Sequence, residues 1–121
     1  MKGIGIDAVE IERFRGLLER RPRLRERLFT DAELDEMSRR ADDVPSLAAR
    51  FAVREATMKA LGVGLGAFGF KDVSVATSEG GRPDLLVSGR AARLAAEAGV
   101  TQWRVSITHT DSTAVAIVAA L

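Results

Sequence analysis

Residues 45–64, PSLAARFAVREATMKALGVG, are the stretch that decides the fold of this chain. Pro45 and Ser46 suit the entry of a helix, and Gly62 suits the position just past its end. Between these ends, apolar residues recur at helical spacing; they are Leu47, Phe51 and Met58. The pattern predicts one long helix with an apolar stripe that faces the core.

Two charged residues, Glu55 and Lys59, lie on the same side of this helix at the edge of the stripe. A carboxylate that points toward a core costs free energy unless it is paired or bound to a metal ion. Two interpretations stay open for the helix alone. The two residues form an i,i+4 ion pair, worth about 0.2–0.5 kcal/mol, or they belong to a functional site.

The composition of the 121-residue chain is that of a globular domain, with 46% hydrophobic and 29% charged residues. We expect a single domain over residues 1–121. The net charge of +1 gives no reason to expect nucleic acid as a partner, and no apolar run is long enough to span a membrane. The chain has no cysteine, which excludes disulfides and thiolate zinc sites and favours a cytoplasmic location.

The chain opens with a short predicted strand, KGIGID (2–7), that stops at an acidic residue. Asp7 then lies where a helix begins, and Asp is a favoured N-cap residue. Val9 would contribute to the apolar side of that helix. Gly3 and Gly5 in the strand indicate that another backbone or a ligand comes close to it.

An arginine-rich segment follows, with seven Arg and three Glu between Glu12 and Arg27. Pro22 divides it into two predicted helical pieces. A basic helix on a nearly neutral protein favours an acidic partner, and a solvated charged face is the alternative. Thr30-Asp31-Ala32-Glu33 is a capping box that predicts a third helix, which extends to about Arg40.

The second half of the chain is mostly strand-like. KDVSVAT (71–77) and DLLVS (84–88) predict two strands joined by a turn, and residues 91–98 predict a short helix. A further strand runs from Trp103 to His109, and TAVAIVAA (113–120) is apolar enough to be central. The whole pattern predicts an α+β fold with early helices and a mostly antiparallel sheet.

Three features point to one chemistry when they are taken together: the acid at a strand end, the Glu55–Lys59 pair, and the only histidine, His109. Mg²⁺ usually takes one or two protein carboxylates and completes its shell with water and phosphate oxygens. Lysine neutralises phosphate as a point charge. These residues fit a magnesium–phosphate site, although spacing alone does not establish one. Two interpretations are open for the glycine-rich segment GVGLGAFGF (62–70): it is a flexible connection, or it is a loop whose backbone amides bind phosphate.

The chain resembles the holo-acyl-carrier-protein synthases, the short type of 4′-phosphopantetheinyl transferase, along essentially its whole length. GIGIDAVEIERF (3–14) resembles the Gly-Ile-Gly-x-Asp opening of that family, and ARFAVREATMKALGVG (49–64) resembles its Arg-Phe-Ala-x-Lys-Glu-Ala-x-x-Lys-Ala helix. SITHTDSTAVAIV (106–118) resembles its Ser-x-x-His strand and hairpin, and GGRPDLLV (80–87) its Gly-Lys-Pro segment. The four segments occur in the family's order and spacing, so their combination is specific.

That resemblance implies roles for individual residues. Asp7 and Glu55 would hold Mg²⁺, and Lys59 would bind the pyrophosphate of coenzyme A; these three form the implied catalytic set. The other implied contacts with coenzyme A are Arg50, Gly62, Gly64, Pro83, Thr108 and His109. The residues implied to meet an acidic acyl carrier protein are Arg13, Arg20 and Arg21.

The resemblance also implies a homotrimer with shared active sites, in which His109 of one subunit would approach Glu55 and Lys59 of the next. The sequence is compatible with this assembly. The final segment, STAVAIVAAL (112–121), is apolar on both faces and therefore too apolar to be left as an open edge.

The implied reaction transfers 4′-phosphopantetheine from coenzyme A to a carrier serine and releases adenosine 3′,5′-bisphosphate. Mg²⁺ would bridge the pyrophosphate and offset charge on the leaving phosphate. Glu55 or a metal-bound hydroxide would accept the serine proton, and the sequence does not choose between them. The chain departs from the family pattern at Arg54, where Lys is usual, and at Phe70, where Trp is frequent. Arginine keeps the charge but changes the geometry.

Two other functions are compatible with parts of this pattern. A magnesium-dependent hydrolase of phosphate esters, such as a small nucleotide hydrolase, would use the same Asp, Glu and Lys but would not need the arginine-rich first helix. A module that only binds an acidic partner would need none of these three residues. Neither alternative explains all four matched segments. The identity of the carrier, the choice between Mg²⁺ and Mn²⁺, and the tolerance of acylated coenzyme A stay open.

Overall fold

Five helices and five strands make up the chain in the computed structural model, which describes residues 1–121. The elements are, in order, β1 (Gly3–Glu10), α1 (Ile11–Arg20), α2 (Leu24–Leu28), α3 (Asp31–Met37), α4 (Val44–Leu61), β2 (Val73–Thr77), β3 (Pro83–Val87), α5 (Gly89–Glu97), β4 (Trp103–His109) and β5 (Thr113–Ala120). Short 3₁₀ turns at Phe70–Asp72 and Glu79–Gly81 flank β2. None of the helices combines the length and the apolar composition that crossing a membrane requires.

The strand β5 is the centre of a three-stranded antiparallel sheet with the order β1–β5–β4. The strands β2 and β3 form a separate antiparallel hairpin. Helices α1 to α4 precede four of the five strands, so the predicted α+β fold with early helices and a mostly antiparallel sheet is confirmed. The prediction that residues 113–120 form a central strand is confirmed as well.

The long helix α4 has the ends that the sequence predicts. Pro45 lies in its first turn, where backbone N–H groups have no acceptor within the helix, so the missing N–H of proline costs no hydrogen bond. Gly62 follows the last residue of the helix with φ 69°. This left-handed backbone favours glycine. The helix packs on the inner face of the β1–β5–β4 sheet. The residues of β5 on that face are fully buried; they are Ala114, Ala116, Val118 and Ala120.

The first strand departs from the sequence prediction. It continues past Asp7 to Glu10, so Asp7 is not an N-cap residue and Val9 belongs to the strand instead of the helix. Pairing with β5 runs without a break from Gly3 to Glu10. The ladder of backbone hydrogen bonds outweighs the capping preference of a single Asp. Asp7 consequently lies in mid-strand, on the face that is turned toward α4.

The third helix begins with the predicted capping box. Thr30 Oγ1 accepts a hydrogen bond from Glu33 N at 3.2 Å, and Glu33 Oε1 accepts one from Thr30 N at 3.0 Å. The helix ends at Met37, three residues earlier than expected. Glu33 also has a role that the sequence did not predict. Its carboxylate forms an ion pair with Arg54 inside the core and accepts a hydrogen bond from Val75 N at 3.1 Å.

Candidate active site

Asp7, Glu55 and Lys59, here called the Asp7 cluster, meet where β1 lies on α4. Lys59 Nζ is 3.2 Å from Asp7 Oδ1 and donates a hydrogen bond to the Ile6 carbonyl oxygen at 2.9 Å. The Asp7 side chain is 14% exposed, the Lys59 side chain is 56% exposed, and Glu55 is half-buried. Lys59 therefore pairs with Asp7, and the interpretation of Glu55 and Lys59 as an isolated i,i+4 ion pair is wrong.

The Glu55 carboxyl of this cluster has a raised pKa. Burial raises its pKa above the ordinary value, and the negative charge of Asp7 raises it further. Lys59 lowers this pKa without cancelling the other effects. Two adjacent carboxylates repel each other, and a divalent cation between them would relieve the repulsion. The donor set fits Mg²⁺, which takes one or two protein carboxylates.

A cavity of about 250 Å³ opens beside Glu55, between β1, α1 and α4. Most of its lining is apolar, and its charged lining residues are Glu10, Arg13 and Glu55. Two of its aromatic side chains, Phe14 and Phe51, stack with their ring centroids 5.3 Å apart. Arg13 therefore lines the same cavity as Glu55, one member of the Asp7 cluster.

Arg50 lies on the opposite side of α4 from Lys59, because nine residues correspond to about two and a half helical turns. Its side chain is 7% exposed, and its Nη2 is 3.4 Å from Glu36 and 3.5 Å from Thr77. Its Nε has no hydrogen-bond partner, and burial lowers its pKa. Thr77 pairs with Pro83 across the β2–β3 hairpin. Two residues implied to contact coenzyme A, Arg50 and Pro83, thus share a region away from the Asp7 cluster.

The end of β4 presents its two implied contacts on different faces of the sheet. His109 is on the inner face, as is Asp7, but β5 separates their two strands. The His109 side chain has one hydrogen bond, in which Nδ1 is 3.1 Å from the Thr110 carbonyl oxygen. Thr108 faces the outer side, because side chains alternate along a strand. Within one chain, neither residue forms a hydrogen bond with the Asp7 cluster.

The first two backbone amides of the glycine-rich loop after α4 form hydrogen bonds with the end of that helix. The Gly62 N–H donates to the Lys59 carbonyl oxygen at 3.1 Å, and the Val63 N–H donates to the Met58 carbonyl oxygen at 2.9 Å. Gly64, by contrast, has open space around it, and its amide donates no hydrogen bond within the chain. Of the two glycines implied to contact coenzyme A, Gly64 has the amide that a phosphate can reach.

Ion pairs divide the arginines of α1 and α2 into two groups. Arg15 is 2.7 Å from Asp42 and 3.1 Å from Glu12, and Arg25 is paired with Asp43. The acidic loop before α4 therefore neutralises these two arginines. The arginines implied to meet an acidic carrier form no ion pair; they are Arg13, Arg20 and Arg21.

Arg54, the residue beside Glu55, has a structural role that the sequence analysis missed. Its side chain is fully buried, its Nη1 donates to Glu33 at 3.0 Å, and its Nε donates to the Phe70 carbonyl oxygen at 2.8 Å. Its guanidinium carbon is 4.9 Å from the centre of the Phe29 ring. These contacts join α4 to α3 and to the turn before β2. The one available signal was an arginine among the apolar residues of a core helix.

Comparison with known proteins decides the family. A sequence model of the 4′-phosphopantetheinyl transferase superfamily matches residues 3–118 of the chain. The chain belongs to this superfamily. A holo-[acyl-carrier-protein] synthase of Streptomyces griseus is 48% identical to it over 118 residues, which are 98% of this chain and 96% of the relative. The resemblance found in the four sequence segments is confirmed.

Solved structures of the same family share the fold. The holo-[acyl-carrier-protein] synthase of Neisseria meningitidis superposes with a TM-score of 0.91 at 29% identity and covers 100% of this chain and 98% of its own. The Bacillus anthracis holo-(acyl-carrier-protein) synthase, solved in complex with CoA (3′,5′-ADP), has a TM-score of 0.80 at 31% identity, over 96% of this chain and 92% of its own. The fold is therefore that of the superfamily throughout.

Proposed function

We propose that this chain is a holo-acyl-carrier-protein synthase, which transfers 4′-phosphopantetheine from coenzyme A to a serine of an apo acyl carrier protein and releases adenosine 3′,5′-bisphosphate. The observation that carries the proposal is the Asp7 cluster, in a chain that matches such synthases over nearly its whole length. A nucleotide hydrolase would use the same three residues but would not account for that match.

Asp7 and Glu55 would hold Mg²⁺ in this site. Their adjacency supports this assignment, because a divalent cation would relieve the repulsion that helps to raise the pKa of Glu55. When bound, the ion would neutralise negative charge on the pyrophosphate of coenzyme A.

Lys59 would bind the phosphate oxygens of coenzyme A. The Ile6 carbonyl and Asp7 orient its ammonium group, while more than half of the side chain stays exposed to a ligand. Glu55 would accept the proton of the carrier serine, because its carboxyl lines the cavity beside α1 from which that serine would approach. The serine Oγ forms a bond to the β-phosphorus. The bond between that phosphorus and the bridging oxygen breaks, and the bridging oxygen leaves with adenosine 3′,5′-bisphosphate.

The acidic carrier protein would dock on the first helix. Arg13 lines the cavity beside Glu55, and Arg20 and Arg21 lie at the far end of α1 without ion-pair partners in the chain. Free arginines attract an acidic surface, whereas paired ones have their charge already compensated. The carrier serine would therefore reach Glu55 from the side of α1. Location in the cytoplasm stays a prediction from the sequence.

A homotrimer would complete the coenzyme A site with residues of a second subunit. Arg50 and His109 lie away from the Asp7 cluster within one chain, which supports a site shared between subunits. The outer face of the sheet also supports assembly, because Ile4, Ile6 and Ile117 are 59%, 55% and 39% exposed there. The argument from an open edge at β5 is wrong, since β1 and β4 flank this strand; the apolar surface left uncovered is a face.

A carrier-modification assay tests the reaction. Incubation with coenzyme A and apo carrier protein should raise the mass of the carrier by one phosphopantetheine, and the increase should require Mg²⁺. Asp7→Ala and Glu55→Ala should abolish transfer while the protein stays folded. Release of phosphate or nucleotide from coenzyme A without modification of the carrier would support the hydrolase instead.

A mixing experiment tests the shared site. Glu55→Ala and His109→Ala are each expected to be inactive, and mixed trimers should contain some sites with both residues intact. Partial activity should therefore return after subunit exchange. A mixture that stays inactive despite proven exchange, or a monomeric mass in solution, would contradict the shared site.

A further inference from the structure

The backbone of β1 lies directly on the backbone of α4. A Cβ atom on Gly5 would lie 1.9 Å from the Ala56 carbonyl oxygen, and a Cβ atom on Gly3 would lie 1.9 Å from the Ala60 carbonyl oxygen. Both contacts involve main-chain atoms, so no side chain can move aside to make room. The sequence prediction of a close approach at these glycines is confirmed, and the approaching group is the helix backbone.

The spacing of the two contacts aligns the strand with the helix. Two strand residues rise about 6.8 Å, and four residues of an α-helix rise about 6 Å. Because these two lengths are nearly equal, Gly3 lies opposite Ala60 and Gly5 lies opposite Ala56. The strand β1 therefore runs antiparallel to α4. The next residue on this face of the strand is Asp7, the first one there that carries a side chain. Its distance from the helix follows from the two backbone contacts that precede it.

We propose that Gly5 and, more weakly, Gly3 are positioning residues that set the separation between the Asp7 and Glu55 carboxylates. This inference rests on the proposed function, in which both carboxylates serve one reaction centre. An alanine at Gly5 would move β1 away from α4 by at least about 1.1 Å, because real Cβ atoms do not approach closer than 3.0 Å. A displacement of about 1 Å in a reacting group can lower a rate by about 10²-fold.

Gly5→Ala and Gly3→Ala form a matched pair. The two alanines would meet the helix backbone at the same 1.9 Å, but Gly5 is two residues from Asp7 and Gly3 is four. We therefore expect similar losses of stability and unequal losses of function. Gly69→Ala is the control, since its nearest neighbour would be 3.7 Å away and its φ of −75° is open to any residue.

The experiment combines urea unfolding, calorimetric titration of the free enzyme with Mg²⁺, and steady-state kinetics for both substrates. In Gly5→Ala, kcat should fall by about 10²-fold, and the affinity for Mg²⁺ should fall by about 10-fold or more. The KM for the carrier should change much less than kcat, because Gly5 lies six residues before the start of α1 and the arginines of that helix are unaltered. Gly3→Ala should lose clearly less kcat and less Mg²⁺ affinity, and Gly69→Ala should bind Mg²⁺ as the unchanged enzyme does.

A rescue variant separates positioning from stability. Asp7→Glu adds one methylene, about 1.5 Å of reach, and should lower activity in the wild-type background. In the Gly5→Ala background the same change should restore part of the lost kcat and Mg²⁺ affinity, because the longer side chain spans the widened gap. If Gly5→Ala does not fold, the rescue is measured in the Gly3→Ala background, where a smaller restoration is expected.

Equal functional losses in the two glycine variants, or no rescue by Asp7→Glu, would overturn the positioning role and leave the proposed function intact. Failure of the wild-type enzyme to modify any carrier would overturn the proposed function. The two failures are therefore distinguishable, because the wild-type assay decides one and the paired variants decide the other.

Discussion

The buried ion pair between Arg54 and Glu33 should hold α4 to the rest of the domain, and Arg54→Met tests this expectation. The two side chains are 0% and 1% exposed. Methionine is also long and flexible but has no charge, so the variant leaves the Glu33 carboxylate in the core without its counter-charge. It also removes the Nε donor that lies 2.8 Å from the Phe70 carbonyl oxygen.

The expected loss of stability in Arg54→Met is large, because the buried charge of Glu33 stays uncompensated. Removal of one partner from a buried ion pair costs about 3–5 kcal/mol, whereas a whole domain is stable by about 5–15 kcal/mol. For a chain of this length, the melting temperature should fall by roughly 10–20 °C. Arg54→Lys is the matched control, since it keeps the charge and loses only part of the hydrogen bonds. We expect it to cost about 1–2 kcal/mol.

Urea unfolding provides the measurement, with the fluorescence of Trp103, the single tryptophan, as the signal. All variants should be compared at one protein concentration, because assembly would make stability depend on concentration. Glu33→Gln combined with Arg54→Met should cost less than the two changes added together, since neither residue then leaves a lone charge. A loss below about 1 kcal/mol in Arg54→Met would refute the reasoning, because a buried pair cannot be broken so cheaply.

Three further predictions concern the proposed active site. Lys59→Ala should raise the KM for coenzyme A as well as lower kcat, because it removes a phosphate counter-charge; an unchanged KM would restrict Lys59 to its pairing with Asp7. In the metal-free protein, the raised pKa of Glu55 means that the folded state keeps a proton where the unfolded state has lost it. The free energy of unfolding should therefore fall as the pH rises from the ordinary value of 4.5 to the raised pKa, and Glu55→Gln should lack this slope in pH-dependent urea titrations. Charge reversal at Arg20 and Arg21 should raise the KM for the carrier and spare that for coenzyme A. This effect should shrink as ionic strength rises, because exposed charges are screened over about 8 Å at physiological salt; equal effects on both substrates would count against docking there.

The sequence by itself determined most of the local elements and the family, and it suggested a chemistry for the site. Pro45, the apolar stripe and Gly62 predicted α4, because the ends and the periodicity of a helix are properties of neighbouring residues. The capping box at Thr30 was predicted for the same reason. The residue types of Asp7, Glu55 and Lys59 indicated a magnesium–phosphate site, since few other groups serve hard cations and phosphates. Four segments in order and spacing were enough to indicate the family.

Only the tertiary structure decided how these residues are arranged. Asp7 became a mid-strand residue, because β5 at the other end of the chain supplies its backbone partners. Lys59 pairs with Asp7 and not with its helical neighbour Glu55, because β1 brings a second carboxylate within 3.2 Å. Arg54 became a core residue, because Glu33 on a different helix compensates its charge. In each case the deciding hydrogen bonds and burial come from residues distant in the sequence, and no local pattern contains them.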